Sequence, residues 1–123
     1  MIRKLLLTLA IILTGFAAPS LAATSQPFDS QAFQQAQAAG KPILIHVSAD
    51  WCPGCTKQKP IIDALDDRVS VFTIDYDSQK GLVRQFKVQK QSTLIVFKGK
   101  DEVARTLGVT DPKAIQADID KAL

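Results

Sequence analysis

Apolar and polar residues follow one another in blocks that predict four strands. The segment 43–48 is almost continuously apolar, which predicts a central strand covered on both faces. Two further runs, 69–75 and 93–98, have the composition of strands, and the segment 102–107 alternates between polar and apolar residues. Because Gly99-Lys100-Asp101 is turn-like, the last two strands are predicted to form an antiparallel hairpin.

Apolar residues recur at helical spacing around these strands, which predicts four helices. Asp29 or Ser30 can cap the first helix, and Asp111 begins the last one. Pro53 suits the first turn of the second helix, whereas Pro60 lies inside that helix and should kink it. The residues predicted to face the core are Ala32, Phe33, Ala36 and Ala39 in the first helix, Ile61, Ile62 and Leu65 in the second, Leu82, Val83 and Phe86 in the third, and Ile115, Ile119 and Leu123 in the fourth.

The order of these elements, α-β-α-β-α-β-β-α, predicts the fold class. The first two strands and the helix between them form a parallel unit, and the last two strands form the hairpin. We therefore expect an α/β domain over residues 29–123, with a central mixed four-stranded sheet flanked by helices. Residues 23–28 are predicted to be an unstructured lead into that domain.

Residues 1–22 have the layout of a secretory signal peptide. Arg3 and Lys4 give a positive start, an uncharged and mostly apolar run follows, and small residues stand before the expected cleavage point. The apolar run is too short for a comfortable membrane span, which needs about 20 residues. We expect cleavage near Ala22 or Ala23 and export to the bacterial periplasm, with an uncleaved anchor as the alternative.

The chain carries 15 basic and 12 acidic residues, but this excess is weak support for an acidic partner. Two of the basic residues, Arg3 and Lys4, belong to the predicted signal peptide, which leaves 13 of the 15 basic residues against the same 12 acidic ones. These charges are interspersed rather than clustered, which is typical of a solvated surface. We expect no nucleic-acid partner, and we expect a monomer.

The two cysteines of the chain, Cys52 and Cys55, lie between a predicted strand and a predicted helix. A Cys-x-x-Cys loop is too short to staple a fold, and an exported chain enters a compartment where disulfides persist. The pair therefore indicates redox chemistry, with the Cys52–Cys55 disulfide as the redox-active group, no other cofactor and no metal. Two alternatives remain: an inert pair, or half of a zinc site, for which His46 and carboxylates are the remaining candidate ligands.

The position of Cys52 at the start of a helix favours its thiolate form. Unpaired amide donors and the positive end of the helix dipole lower the pKa of a thiol at that place. Cys52 is thus expected to attack a partner's disulfide, and Cys55, one turn further in and more buried, to resolve the mixed disulfide. Pro53 and Gly54 are expected to tune the redox potential, while Trp51 offers a flat apolar surface beside the site.

The run Ala49-Asp50-Trp51-Cys52-Pro53-Gly54-Cys55, with Pro60 five residues later, resembles the thioredoxin superfamily. The later run Ser92-Thr93-Leu94-Ile95-Val96-Phe97-Lys98 and Gly108 are also similar to that family. The resemblance covers nearly all of the chain after the predicted signal peptide. It implies a thioredoxin-like fold, here without the first strand that full-length thioredoxins carry, with the first cysteine as the nucleophile and the second as the resolving thiol.

Two departures from thioredoxin face the cysteines or lie between them. The intervening dipeptide is Pro53-Gly54, whereas thioredoxin has Gly-Pro, and this leaves the redox potential open. Ser92 stands where the superfamily usually has a cis-proline, and because a non-proline cis bond costs about 3–4 kcal/mol we expect a trans bond before it. The Ser92 hydroxyl either bonds a sulfur or a substrate backbone or is a tolerated loop hydroxyl, and Gln91 is expected to be the neighbouring docking edge.

A third departure lies in the strand before the motif. His46, the one histidine of the chain, is aligned with a buried aspartate that thioredoxin has under its second cysteine. One hypothesis is that His46 accepts and donates the proton of Cys55, because histidine titrates near neutral pH. The other is that it is a buried neutral histidine satisfied by backbone groups.

Together these features predict an exported thiol–disulfide oxidoreductase of thioredoxin type. The chain has no inserted helical subdomain, which the dedicated periplasmic oxidants of the superfamily carry, and this favours a reducing or exchange role. The expected partners are exported proteins with thiols or disulfides and a membrane thiol–disulfide donor. The alternatives are a disulfide oxidase or isomerase, and a non-catalytic binding, redox-sensing or metal-capturing module, which the departure at Ser92 keeps open.

Overall fold

The computed structural model describes Gly15 and residues 24–123, so the rest of the predicted signal peptide lies outside the described residues. Five strands and four helices are present in this part of the chain. The strands are β1 (Ser25–Pro27), β2 (Pro42–Ser48), β3 (Ser70–Asp75), β4 (Thr93–Lys98) and β5 (Asp101–Leu107). The helices are α1 (Ser30–Ala38), α2 (Pro53–Asp63), α3 (Lys80–Gln85) and α4 (Pro112–Asp120). No helix of the described ranges is both long and apolar enough to cross a membrane.

The strands form one mixed sheet in the order β1-β3-β2-β4-β5. β1, β3 and β2 run parallel, while β4 is antiparallel to β2 and to β5, as the predicted hairpin requires. Ser48 and Asp75 are paired at the carboxyl ends of β2 and β3. The central strand β2 therefore ends on the side of the sheet where the carboxyl ends of β2 and β3 lie, and α2 begins shortly after it. The predicted α/β class with a mixed sheet is confirmed.

The prediction of four strands behind an unstructured lead is wrong, because residues 25–27 form the edge strand β1. These residues pair in parallel with residues 71–73 of β3, and the Phe28 amide donates to the Thr73 carbonyl at 2.9 Å. Phe28 then inserts its ring among other phenylalanines, with a centroid distance of 5.3 Å to Phe33. A strand of only three residues is too short to show an alternating pattern in the sequence. It forms because its partner strand β3 is available for pairing. Pro27 is tolerated because an edge strand can lack a donor.

Alternation along β2 sends its side chains to two apolar clusters on opposite faces of the sheet. Ile43, Ile45 and Val47 join the cluster that contains Phe33 of α1. Leu44 joins the second cluster, which contains residues of α2 and α4. His46 follows Leu44 in the same alternation and so lies on the face that α2 covers. This register determines what is beneath the cysteines.

Two predicted core residues lie outside their helices and are exposed. Ala39 is the C-cap of α1, and Leu123 follows the end of α4 at Asp120. In the terminal turn the Ala122 amide donates to the Ile119 carbonyl at 2.9 Å, and Ala122 takes the buried position instead.

Candidate active site at the start of the second helix

The two cysteines lie where a tight turn joins β2 to α2. The Cys52 amide donates to the Ala49 carbonyl at 3.1 Å, which closes the turn. Cys52 is the N-cap of α2, with extended backbone angles, and its sulfur accepts the Cys55 amide proton at 3.2 Å. Pro53 occupies the first turn of the helix, where no amide donor is needed. The sulfur of Cys52 is thus at the positive end of the helix dipole.

Cys52 and Cys55 form a disulfide, with 5.3 Å between their α-carbons. Their exposed fractions are 3% and 2%, so both cysteines are buried and Cys55 is only slightly more buried than Cys52. The Val47 carbonyl oxygen lies 4.0 Å from the Cys55 sulfur. When the pair is reduced, that carbonyl is an acceptor in reach of the Cys55 thiol.

Trp51 presents an exposed aromatic surface directly before the disulfide. The side chain is 59% exposed, which is unusual for the largest apolar residue type. Its indole Nε1 donates to a carboxylate oxygen of Asp77 at 2.6 Å. This bond holds the ring in one orientation although solvent surrounds much of it.

Ser92 faces the motif from the loop before β4, and the described residues contain no cis peptide bond, as predicted for this position. The φ angle of Ser92 is +67°, a left-handed conformation that costs a non-glycine residue roughly 1–2 kcal/mol. Its backbone is held on both sides: the amide donates to the Val47 carbonyl at 2.8 Å, and the carbonyl accepts from the Gly108 amide at 3.0 Å. The side-chain oxygen lies 2.8 Å from the place where a β-carbon on Gly54 would be. Gln91, which precedes Ser92, is half-buried.

His46 is buried beneath α2, with only 5% of its surface exposed. Its Nε2 is 3.1 Å from the side-chain oxygen of Gln58 on the second turn of α2. Burial lowers the pKa of the imidazole below 6.5; the hydrogen bond to Gln58 opposes this shift, Lys59 adds to it, and Asp63 opposes it. His46 is therefore neutral at neutral pH.

A cavity of about 320 Å³ runs along the Cys55 side of the motif. It is lined by both His46 and Cys55. Most of its other lining residues are polar. The full set of these other lining residues is Ser25, Ser48, Ala49, Asp50, Thr56, Lys59 and Thr73. The imidazole and the resolving sulfur thus line the same cavity.

Gln58 is the residue of this site that sequence reasoning missed. It is fully buried, and it contacts His46, Ser92 and Val109 through its side chain. A signal for it exists in the sequence, because position 58 falls on the buried face of α2, between Cys55 and Ile62 at helical spacing. A polar side chain at such a position must find hydrogen-bond partners inside the protein.

Comparison with known proteins agrees with this geometry. The family profile described as thioredoxin matches residues 23–121. The chain belongs to the thioredoxin family. A thioredoxin from Alicyclobacillus acidocaldarius is 31% identical over 91 residues, which cover 71% of this chain and 87% of that protein. A thioredoxin from Chlamydia trachomatis is 33% identical over 76 residues, or 59% of this chain and 74% of that one.

Solved structures of thioredoxin-family proteins superpose on the chain as well. The crystal structure of Trxlp from Edwardsiella tarda has a TM-score of 0.68 at 37% identity, over 78% of this chain and 98% of that one. A mutant thioredoxin from Halobacterium salinarum has a TM-score of 0.71 at 23% identity, over 88% of this chain and 96% of that one. At this level of identity the similarity supports the fold alone. The predicted superfamily is confirmed. With its Cys-x-x-Cys disulfide, this member of the thioredoxin family is a thiol–disulfide oxidoreductase.

A metal site at the redox pair would need further ligands. Within Gly15 and residues 24–123, no group of three or more histidine, cysteine, aspartate or glutamate side chains comes together as a metal site would require. A structural zinc ion usually takes four such ligands. Ligands for a metal at Cys52 and Cys55 would therefore have to come from elsewhere.

Proposed function

We propose that this chain is an exported thiol–disulfide oxidoreductase that acts in a reducing or exchange role. Cys52 attacks a disulfide of the partner protein, and Cys55 resolves the mixed disulfide. The observation that carries this assignment is the place of the Cys52 sulfur. It caps α2, accepts the Cys55 amide proton at 3.2 Å, and is already bonded to Cys55.

The same contacts explain why Cys52 rather than Cys55 is the attacking group. In the reduced protein, the Cys55 amide and the helix dipole stabilise negative charge on the Cys52 sulfur. The thiolate attacks one sulfur of the partner's disulfide, and the other sulfur leaves as a thiolate that takes up a proton. Cys55 then loses its proton and attacks the Cys52 sulfur, which releases the second partner thiol and forms the Cys52–Cys55 bond. The partner gains two electrons, and the two cysteines lose them.

His46 is proposed to take the proton that Cys55 gives up. A neutral imidazole and the resolving sulfur line one cavity, and burial keeps the imidazole neutral and ready to accept. The opposing hypothesis, a histidine satisfied by backbone groups, is not supported by its contact, which is to the Gln58 side chain.

The partner is proposed to dock across the surface formed by Trp51, Pro53 and the loop at Gln91. Trp51 and Pro53 are exposed beside the nearly buried disulfide, so a partner that reaches Cys52 must contact them. The backbone amide and carbonyl of Ser92 are both occupied inside the protein. A docking strand therefore pairs with the backbone of Gln91, the residue next to it. The partners of this surface are exported proteins with thiols or disulfides.

The direction of electron flow is inferred from the size of the segment that connects β3 and β4. Between β3 and β4 the chain holds only α3, a helix of 6 residues, and no inserted helical subdomain. This supports a reductant or exchange protein that a membrane thiol–disulfide donor reduces again. The signal-peptide pattern of residues 1–22 supports the bacterial periplasm as its location.

Two measurements on purified protein test the proposal. We expect catalysis of insulin reduction by dithiothreitol in the wild type and none in a Cys52→Ser variant, which keeps the fold but lacks the attacking sulfur. Equilibration with glutathione should give a reduction potential of about −270 mV, whereas a value of about −120 mV would indicate an oxidant instead. No catalysis together with stoichiometric bound iron or zinc would contradict the function itself.

A further inference from the structure

The side chain of Gln58 makes four hydrogen bonds in the interior of the site. Its Nε2 donates to the Val109 carbonyl at 2.9 Å and to the Ser92 carbonyl at 3.2 Å. Its Oε1 accepts from the Ser92 hydroxyl at 3.2 Å and lies 3.1 Å from Nε2 of His46. A primary amide has two donors and two acceptor lone pairs, so the bonding capacity of Gln58 is used completely.

These partners leave one orientation for the amide. A backbone carbonyl can only accept, so the nitrogen of Gln58 must face Val109 and the Ser92 carbonyl. The oxygen then faces His46 and the Ser92 hydroxyl, and an amide oxygen can only accept. Both groups must therefore donate to it. In the reversed orientation, the amide oxygen would face two carbonyl oxygens inside the protein, and buried polar atoms would lose their hydrogen-bond donor.

The donor assignment fixes which nitrogen of His46 is basic. If Nε2 carries the proton that Gln58 accepts, the neutral imidazole has its lone pair on Nδ1. The Ser92 hydroxyl likewise donates its proton to Gln58, which leaves its oxygen lone pairs for the side of Gly54. One amide thus orders the protons of two groups that flank the cysteines.

We propose that Gln58 is a positioning residue that holds His46 in the Nε2–H tautomer, so that Nδ1 accepts the proton of Cys55 when Cys55 resolves the mixed disulfide. This inference rests on the role proposed for His46 above. The proton passes from the Cys55 thiol to Nδ1, across the cavity that both residues line. The Cys55–Cys52 bond forms as the bond from Cys52 to the partner breaks, and the leaving partner thiolate takes a proton back.

Among residues 24–123, no charged side chain hydrogen-bonds to His46, so none of them dictates its tautomer. Lys59 and Asp63 on α2 act on it through space with opposite signs, and Asp50 lines the same cavity. The neighbouring strands place Thr73 and Leu94 beside it in register, and both are uncharged. The direct contact with Gln58 is therefore the one that distinguishes the two ring nitrogens.

The tautomer can be measured directly because His46 is the one histidine of the chain. Long-range proton–nitrogen NMR spectra of the wild-type protein at neutral pH should show a protonated Nε2 and an unprotonated Nδ1, in both the oxidised and the reduced state. A proton on Nδ1, or a mixture of the two tautomers, would overturn the proposal. This measurement involves no activity, so it can fail while the proposed oxidoreductase function stands.

A set of four variants tests whether Gln58 acts through His46. Resolution is followed as release of the second thiolate when reduced protein reacts once with an aromatic disulfide. We expect Gln58→Met to slow this step roughly fivefold to tenfold, which is the population change that one hydrogen bond selects. The pH dependence of the step should flatten as well. In a His46→Leu background, Gln58→Met should have no further effect on the rate.

The control is Gln116→Met, which removes an amide from an exposed site on α4 and should leave the rate unchanged. If Gln58→Met slows resolution equally with and without His46, its role is only structural and the proposal is wrong. If Gln58→Met does not fold, the wild-type spectrum still decides the question. Slow attack by Cys52 in the wild type would instead count against the proposed function.

Discussion

Replacing Gly54 by alanine tests whether the Pro-Gly dipeptide and Ser92 are matched to each other. A β-carbon at position 54 would lie 2.8 Å from the Ser92 hydroxyl oxygen, closer than such atoms can approach, but 3.7 Å from the Ser92 β-carbon, which is ordinary contact. The clash therefore concerns one oxygen atom. That oxygen belongs to a buried side chain whose hydroxyl bonds to Gln58 at 3.2 Å.

The cost follows from what relieving the clash requires. Rotating the Ser92 hydroxyl away from position 54 breaks its bond to Gln58, at about 1–2 kcal/mol with the loss of a buried partner. Against this, alanine in a helix is about 0.5–1 kcal/mol more favourable than glycine. We expect Gly54→Ala to destabilise the wild type by up to about 1.5 kcal/mol. In a Ser92→Ala background the oxygen is gone, and the same substitution should stabilise the protein by about 0.5–1 kcal/mol.

Urea denaturation of the four proteins of this cycle, all oxidised, measures both effects. The difference between the two backgrounds is the diagnostic result, because the preference of a helix for alanine over glycine is common to both and cancels. An equal free-energy change on Gly54→Ala in both backgrounds would refute the reasoning. It would mean that the Ser92 hydroxyl does not restrict the dipeptide between the cysteines.

Three further predictions concern the histidine, the tryptophan and the edge strand. Because burial lowers the folded-state pKa of His46 below the unfolded value of 6.5, the unfolded chain takes up its proton first as the pH falls. The wild type should lose stability relative to His46→Leu as the pH falls from about 6.5 toward the folded-state pKa, by no more than about 1.4 kcal/mol per unit; parallel urea midpoints across that range would contradict this. Asp77→Ala frees the indole of Trp51, which the carboxylate holds at 2.6 Å. It should slow insulin reduction roughly threefold, for one exposed hydrogen bond, while the equilibrium with glutathione is unchanged, and a changed potential would show that the bond acts on the disulfide instead. Phe28→Ala removes a half-buried ring from the phenylalanine cluster and should lower the free energy of unfolding by about 2–3 kcal/mol, whereas a loss below about 0.5 kcal/mol would mean that β1 and Phe28 add little to the fold.

The sequence alone determined the elements whose signals are local. Continuous apolar residues predicted β2, and a turn followed by alternation predicted the hairpin of β4 and β5. Pro53 suits the first turn of a helix, so it predicted that α2 begins at the motif and that Cys52 lies at its start. These features depend on neighbours a few residues away, so the period of the pattern and the residue types were enough to predict them. The redox chemistry of Cys52 and Cys55 followed from the same local spacing.

Tertiary structure decided the features that depend on residues far apart in the chain. β1 exists because β3 offers its edge and because Phe28 finds a cluster of rings, and neither is visible in a three-residue polar segment. Ser92 adopts its left-handed conformation because amides and carbonyls from two other segments hold its backbone. Gln58 is separated from Ser92 by 34 residues and from Val109 by 51, yet one amide joins them to His46. Hydrogen bonds across such distances are set by how the sheet and helices pack, and no sequence period encodes them.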